Sequence, residues 1–129
     1  MLKVFVYFNL HRKCFSIKAL EGANKGRVVA HRDDVLLFDG TFKVSEAGRQ
    51  RVIRERKKNV HAGVVGQWDE TGTDLITIDR VTTIGRPVTY NPYKYSSFVY
   101  LYGEHPVGHN RLVALTISDN KRSRITVWN

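Results

Sequence analysis

Cysteine is almost absent: Cys14 stands alone, so no internal disulfide can staple the chain. It falls in the strand-like run KCFSIKAL, where a lone thiol reads as a half-buried small hydrophobe rather than a nucleophile. Long apolar runs are missing too. No stretch approaches the roughly 20 residues that span a bilayer. The opening MLKVFVYFNL is too short for a secretory apolar core and lacks a small-residue cleavage site. No membrane association is expected, and a reducing cytoplasmic setting is. Acidic residues are scarce: 12 Asp and Glu face 21 Lys and Arg, a formal charge of +9. Such an excess favours polyanionic partners, whether nucleotides, nucleic acid or an acidic protein.

Catalytic fingerprints are also lacking. There is no G-x-S-x-G elbow, no P-loop and no G-x-G-x-x-G. No histidine opens an H-x-Ser/Thr pair, since His11, His31 and His61 are followed two residues on by Lys, Asp and Gly. His105 and His109 stand four apart beside Glu104, a spacing that on a helix would suit a metal. Pro106 and Gly108 argue against that helix, and no further histidine or cysteine is near in sequence. No metal or cofactor is therefore expected, and no enzymatic activity. A cryptic nuclease or phosphodiesterase ranks last.

What is present is β-pattern. Leu2, Val4, Val6 and Phe8 alternate on one face, and Phe15, Ile17 and Ala19 on another, with the polar corner 9–13 between them. This predicts an antiparallel hairpin. Short strands follow in GRVVAH and VLLF, and Asp39-Gly40 predicts a hairpin turn into TFKV. VHAGVVGQW resumes strand character, its glycines marking a bend or a close backbone approach. LITIDRVTTI reads as one or two strands. PVTYNPYKYSSFVYLY is β-prone but interrupted at Pro92, and RLVALTI and RITVW predict a closing hairpin around 118–122. The fold class expected is α+β: a single domain over residues 1–129, built as an antiparallel, strongly bent sheet or partial barrel with one basic helix.

That helix is the chain's densest charge. Residues 43–58 hold seven Lys or Arg against Glu46 and Glu55, giving +5 of the total +9. Ser45 is the natural N-cap, Glu46 sits at the positive end of the dipole, and Lys57 and Lys58 fall at the other end. The apolar stripe of Ala47, Val52 and Ile53 is thin, so packing on a sheet must hold the helix. Arg51 is spaced to pair with Glu55, while Arg49 and Arg56 lack an obvious acidic partner. Guanidinium groups grip phosphates bidentately, which makes Arg49, Arg51, Arg54 and Arg56 candidate ligand contacts. The plain alternative is a solvated helix face. A second candidate is TYNPYKY, where Tyr90, Tyr93 and Tyr95 surround Lys94 in an Asn-Pro turn. Such rings can stack on a base while the ammonium reaches phosphate. Its plain alternative is a rim of strand tyrosines with wet hydroxyls.

Three stretches, KVFVYFNLHRKCFSIKAL (3–20), TFKVSEAGRQRVIRERKKNVHAGVVG (41–66) and VTYNPYKYSSFV (88–99), resemble a family of small, mostly uncharacterised proteins of tailed bacteriophages. The resemblance implies an accessory role inside the infected bacterium, and it transfers no catalytic residue. With the charge pattern it leads to a non-catalytic binder of a phosphorylated nucleotide, holding a signal of host immunity. The pocket is expected at the boundary of a homo-oligomer. A nucleic-acid binder, or an inhibitor of an acidic host protein, are the alternatives.

Overall fold

The alternation of the first twenty residues does form a hairpin. Strand β1 (Leu2–Asn9) pairs antiparallel with β2 (Cys14–Ala19), Val6 opposite Ile17 and Phe8 opposite Phe15. Directly opposed residues share a face, so the two apolar sets of the hairpin line one side of the sheet, not two. The chain continues through β3 (Val28–Arg32), β4 (Val35–Val44), α1 (Glu46–Glu55), β5 (Ala62–Trp68), α2 (Leu75–Ile84), β6 (Arg86–Thr89), β7 (Val99–Tyr100), β8 (His109–Ile117) and β9 (Ser123–Trp128). This computed structural model describes all of residues 1–129 except Thr73 and Glu104.

All nine strands join one antiparallel sheet in the order β3-β2-β1-β5-β4-β8-β9-β6-β7. The sheet is open, with β3 and β7 at its two edges, and the α+β class holds. Its inner face carries the main core, including Val4, Phe15, Leu37, Val64, Val113 and Val127. The outer face is covered at β4 and β8, where Leu36 and Ala114 meet Ile78 and Val81 of α2. Burial from both sides explains why Val35-Leu36-Leu37 and Val113-Ala114-Leu115 are continuously apolar. Among the described residues no helix is long and apolar enough to cross a membrane.

Two local readings are corrected. LITIDRVTTI is helix α2, not strand. Its β-branched residues disfavour helix only weakly. The Asp74 side chain caps the first turn by accepting from the Thr77 N–H at 3.0 Å. Ile78 and Val81, one turn apart, then anchor it on the outer face. Asp39-Gly40 is likewise not a turn, because β4 runs through it. Asp39 adopts φ 54° and the register against β5 slips between Phe38 and Thr41, which makes a bulge. Gly40 is needed there, since a Cβ would collide with the Val113 side chain.

The helix reading is corrected in extent. Ser45 does cap α1, its Oγ accepting from the Gly48 N–H at 3.2 Å, but the helix stops at Glu55 and Arg56 turns left-handed. Within 46–55, Arg49, Arg51 and Arg54 face Glu46 and Glu55, so the helix itself nets only +1. The cationic excess lies in the irregular run Arg56-Lys57-Lys58 beyond it.

The α2 cap gives a pH prediction. Bonds from the Thr77 hydroxyl and backbone hold Asp74 below its ordinary 3.8. A lowered folded value contributes stability that is complete above the unfolded value and is lost as pH falls through the folded one. Asp74→Asn, which caps without charge, is expected to flatten the fall in Tm below about pH 4. Asp69, held low by Thr71, and Glu46, held low by Gln50, keep some slope. Thermal melts between pH 5 and 2 check this, and an unchanged acid limb refutes it.

Candidate functional site

The site begins where two strands part. β1 pairs with β5 only from Leu2↔Trp68 to Val6↔Val64. Beyond that point β1 stays with β2 as far as Asn9↔Cys14, and β5 stays with β4 as far as Val44↔Ala62. Meanwhile the sheet curls. His61, just before β5, bonds at 2.7 Å to the Tyr90 hydroxyl, just after β6, although β4, β8 and β9 separate those strands in the sheet. The curl brings the β1–β2 turn, the α1–β5 link, the segment after β6 and the β8–β9 turn around one cleft of about 900 Å³.

Four cations line this cleft: Lys13, Lys58, Lys121 and Arg122. Among the described lining residues there is no Asp or Glu. None of the four has an ion-pair partner among the described residues, and all four are exposed. Lys13 and Lys121 also share a backbone feature, with φ of 57° and 59°. A lysine in the left-handed region costs on the order of 1 kcal/mol, and each occurs in a hairpin turn beside the cleft. The β8–β9 turn is held without its cationic side chains: the Ser118 N–H bonds to the Arg122 carbonyl at 2.8 Å and the Lys121 N–H to the Ser118 carbonyl at 2.9 Å.

Aromatic groups form the apolar wall. Tyr90 stacks on Phe98 at 4.8 Å between centroids, and Phe98 packs on Phe42 at 4.6 Å. His61 Nδ1 lies 2.9 Å from the Asn59 carbonyl, which can only accept, so Nδ1 carries a proton. In the neutral ring Nε2 then accepts from the Tyr90 hydroxyl. Burial pushes the Tyr90 phenol up, the nearby Arg49 pulling the other way, so the phenol keeps its proton for that bond. Tyr93, 61% exposed, leaves its ring open to the cleft.

The sequence candidates divide accordingly. Tyr90 and Tyr93 line the cleft, though the Tyr90 ring is already engaged by Phe98 and His61. Lys94 and Tyr95 line neither hollow; the Lys94 ammonium lies 5.2 Å from the Tyr95 ring. Arg49, expected without a partner, pairs with Glu46 at 2.8 Å, and its Nε donates to the Tyr95 carbonyl at 3.2 Å. It fastens α1 to the tyrosine turn and is not free for a ligand. Arg51, Arg54 and Arg56 are exposed and line neither hollow, and Arg51 makes no ion pair with Glu55. The concavity expected at a subunit boundary exists within one chain. Lys13, Lys121 and Arg122 were not singled out by sequence, because each reads as a solvated turn residue. For the discounted metal reading, Glu104 lies outside the described residues, and His109 sits 3.4 Å from Asp39. Among the described residues no group of His, Cys, Asp or Glu could hold a metal.

A bacteriophage protein is what the comparisons give. Residues 1–122 match the family model described as Mycobacterium phage L5 gene 82 protein, and the chain belongs to that family. The Gene 82 protein of Mycobacterium phage L5 is 40% identical over 111 residues, covering 81% of this chain and 82% of that relative. The match runs well past the three resembling stretches and reaches the β8–β9 turn. No solved structure matches.

Proposed function

We propose that this phage protein binds a phosphorylated, nucleotide-type ligand in the cleft and acts by holding it, without catalysis. In the cytoplasm of an infected cell such sequestration would serve to remove a nucleotide signal of host immunity. The observation that carries the reading is electrostatic: among the described residues, four cations without an ion-pair partner and no carboxylate line a hollow of about 900 Å³. That size lies within the usual range for ligand pockets. Arg122 offers a bidentate fork to a phosphate, the lysines act as point charges, and the Tyr93 ring is placed to stack on a base. The curled sheet works here as a partial barrel whose open side admits the ligand.

A nucleic-acid track is the second reading, favoured by the exposed cations Arg51, Arg54, Arg56 and Lys57 outside the cleft. Ionic strength separates the two, because two or three phosphate contacts give a shallow salt slope and a long track a steep one. A thermal-shift screen of mono- and dinucleotides beside short DNA and RNA tests the proposal. Nucleotides at 100 times their Kd are expected to stabilise the protein by about 2.7 kcal/mol. A response confined to oligonucleotides, with a steep salt slope, transfers the case to the second reading. No response to any phosphorylated ligand refutes both.

A further inference from the structure

The cleft's first hollow has a neighbour. A second, of about 420 Å³, is lined by Phe5, Tyr7, Lys18, Gly26, Val28 and Ser45, together with Val60 and His61. Tyr7, Val60 and His61 line both hollows, so the two adjoin where β1 and β5 separate. Among the described lining residues this one too lacks Asp and Glu. Its wall is aromatic: the Phe5 and Tyr7 rings lie 6.0 Å apart, tilted by 32°. Gly63 gives the Phe5 ring its place, since a Cβ there would sit 2.7 Å from the ring. Lys18 is the cross-strand partner of Phe5, so the two share a face of the hairpin, and Lys18 lines the hollow. The Ser45 oxygen is used as an acceptor by the Gly48 N–H, and its own proton remains to donate.

We infer that this second hollow is a subsite for a second nucleotide unit, and that the ligand is a dinucleotide rather than a mononucleotide. The inference rests on the proposed cleft function and adds the ligand's size to it. One phosphate lies among Lys13, Lys58, Lys121 and Arg122, and the other is held by Lys18. The second base covers the Phe5–Tyr7 wall, a sequence-tolerant contact because every base has a stacking face. The second hollow's volume of about 420 Å³ suits one further unit, and Gly26 and Val28, by the β3 edge of the sheet, are part of its lining.

Calorimetry with 5′-monophosphates, 5′-phosphorylated dinucleotides and hexanucleotides of adenine and guanine tests it. The dinucleotide is expected to bind tenfold or more tighter than the mononucleotide. Lys18→Glu should remove that advantage while leaving mononucleotide affinity within about twofold, because Lys18 is outside the first hollow. Lys18→Met, which keeps the aliphatic stem, should do the same if the charge-reversed variant fails to fold. Equal affinity for mono- and dinucleotide overturns the subsite and leaves the first hollow's function standing. A further tenfold gain for the hexanucleotide overturns it in favour of an extended strand. No binding by any of the three removes this inference and the cleft function together.

Discussion

Lys121→Glu combined with Arg122→Glu is expected to weaken nucleotide binding by about 100-fold or more. Each cation supplies a charge-assisted hydrogen bond to phosphate, a class of contact that contributes roughly 1.5–3 kcal/mol. Every 1.4 kcal/mol is tenfold in Kd, and two introduced carboxylates add repulsion in a cleft that has none among its described lining residues. The fold should survive, since the turn's backbone bonds involve no charged side chain and both residues are exposed. Arg51→Glu with Arg54→Glu is the matched control: the same charge reversal on α1, away from the cleft. It should change affinity by less than about threefold at about 0.15 M salt, because neither residue lines the cleft and salt screens exposed charges. Isothermal titration of all three proteins at that salt, with Tm as the folding check, decides the matter. If the α1 pair abolishes binding and the turn pair does not, the ligand sits on the helix and the cleft assignment is wrong.

The contrast between those two pairs marks what the sequence could disclose. Ser45 as a cap and the β1–β2 and β8–β9 hairpins depend on neighbours within a few residues, so pattern and turn chemistry revealed them. Asp39-Gly40 and LITIDRVTTI were misread because the deciding partner is distant. Gly40 is held within a strand by pairing with Asn110 across to β8, and α2 owes its stability to Leu36 and Ala114. The cleft was the least legible part. By strand order the β1–β2 and β8–β9 turns belong to opposite halves of the sheet, and only its curl sets Lys13 on the same cleft as Lys121 and Arg122. Charge density along the chain pointed instead to residues 43–58. There Arg49 is engaged by Glu46 and Tyr95, Lys58 alone lines the cleft, and the others are displayed to solvent. A run of cations records local composition. A site needs cations that converge, which is a property of the three-dimensional path.

Convergence in turn depends on how β1 and β5 separate, and one glycine governs that. Gly63 precedes Val64, the last β5 residue paired with β1, and a Cβ on it would meet the Val6 carbonyl and, at 2.7–2.8 Å, the Phe5 ring. By strand propensity alone Gly63→Val should stabilise, since glycine is disfavoured in strands and valine favoured. Geometry predicts the opposite sign. The ring could rotate away, but the carbonyl belongs to the β1 backbone at Val6, whose side chain is itself buried in the main core, so the ladder must shift. Overpacking of this kind costs about 3 kcal/mol, a large share of the roughly 5–15 kcal/mol that holds a domain together. At this chain length it lowers Tm by about 12 °C. Any folded fraction should have both hollows disturbed, because Gly63 itself lines the first and the Phe5 ring walls the second. Affinity for mononucleotide and dinucleotide then falls together. Denaturant melts beside paired titrations measure both, and a Gly63→Val protein as stable as the parent would show that the strands part without needing the bare backbone.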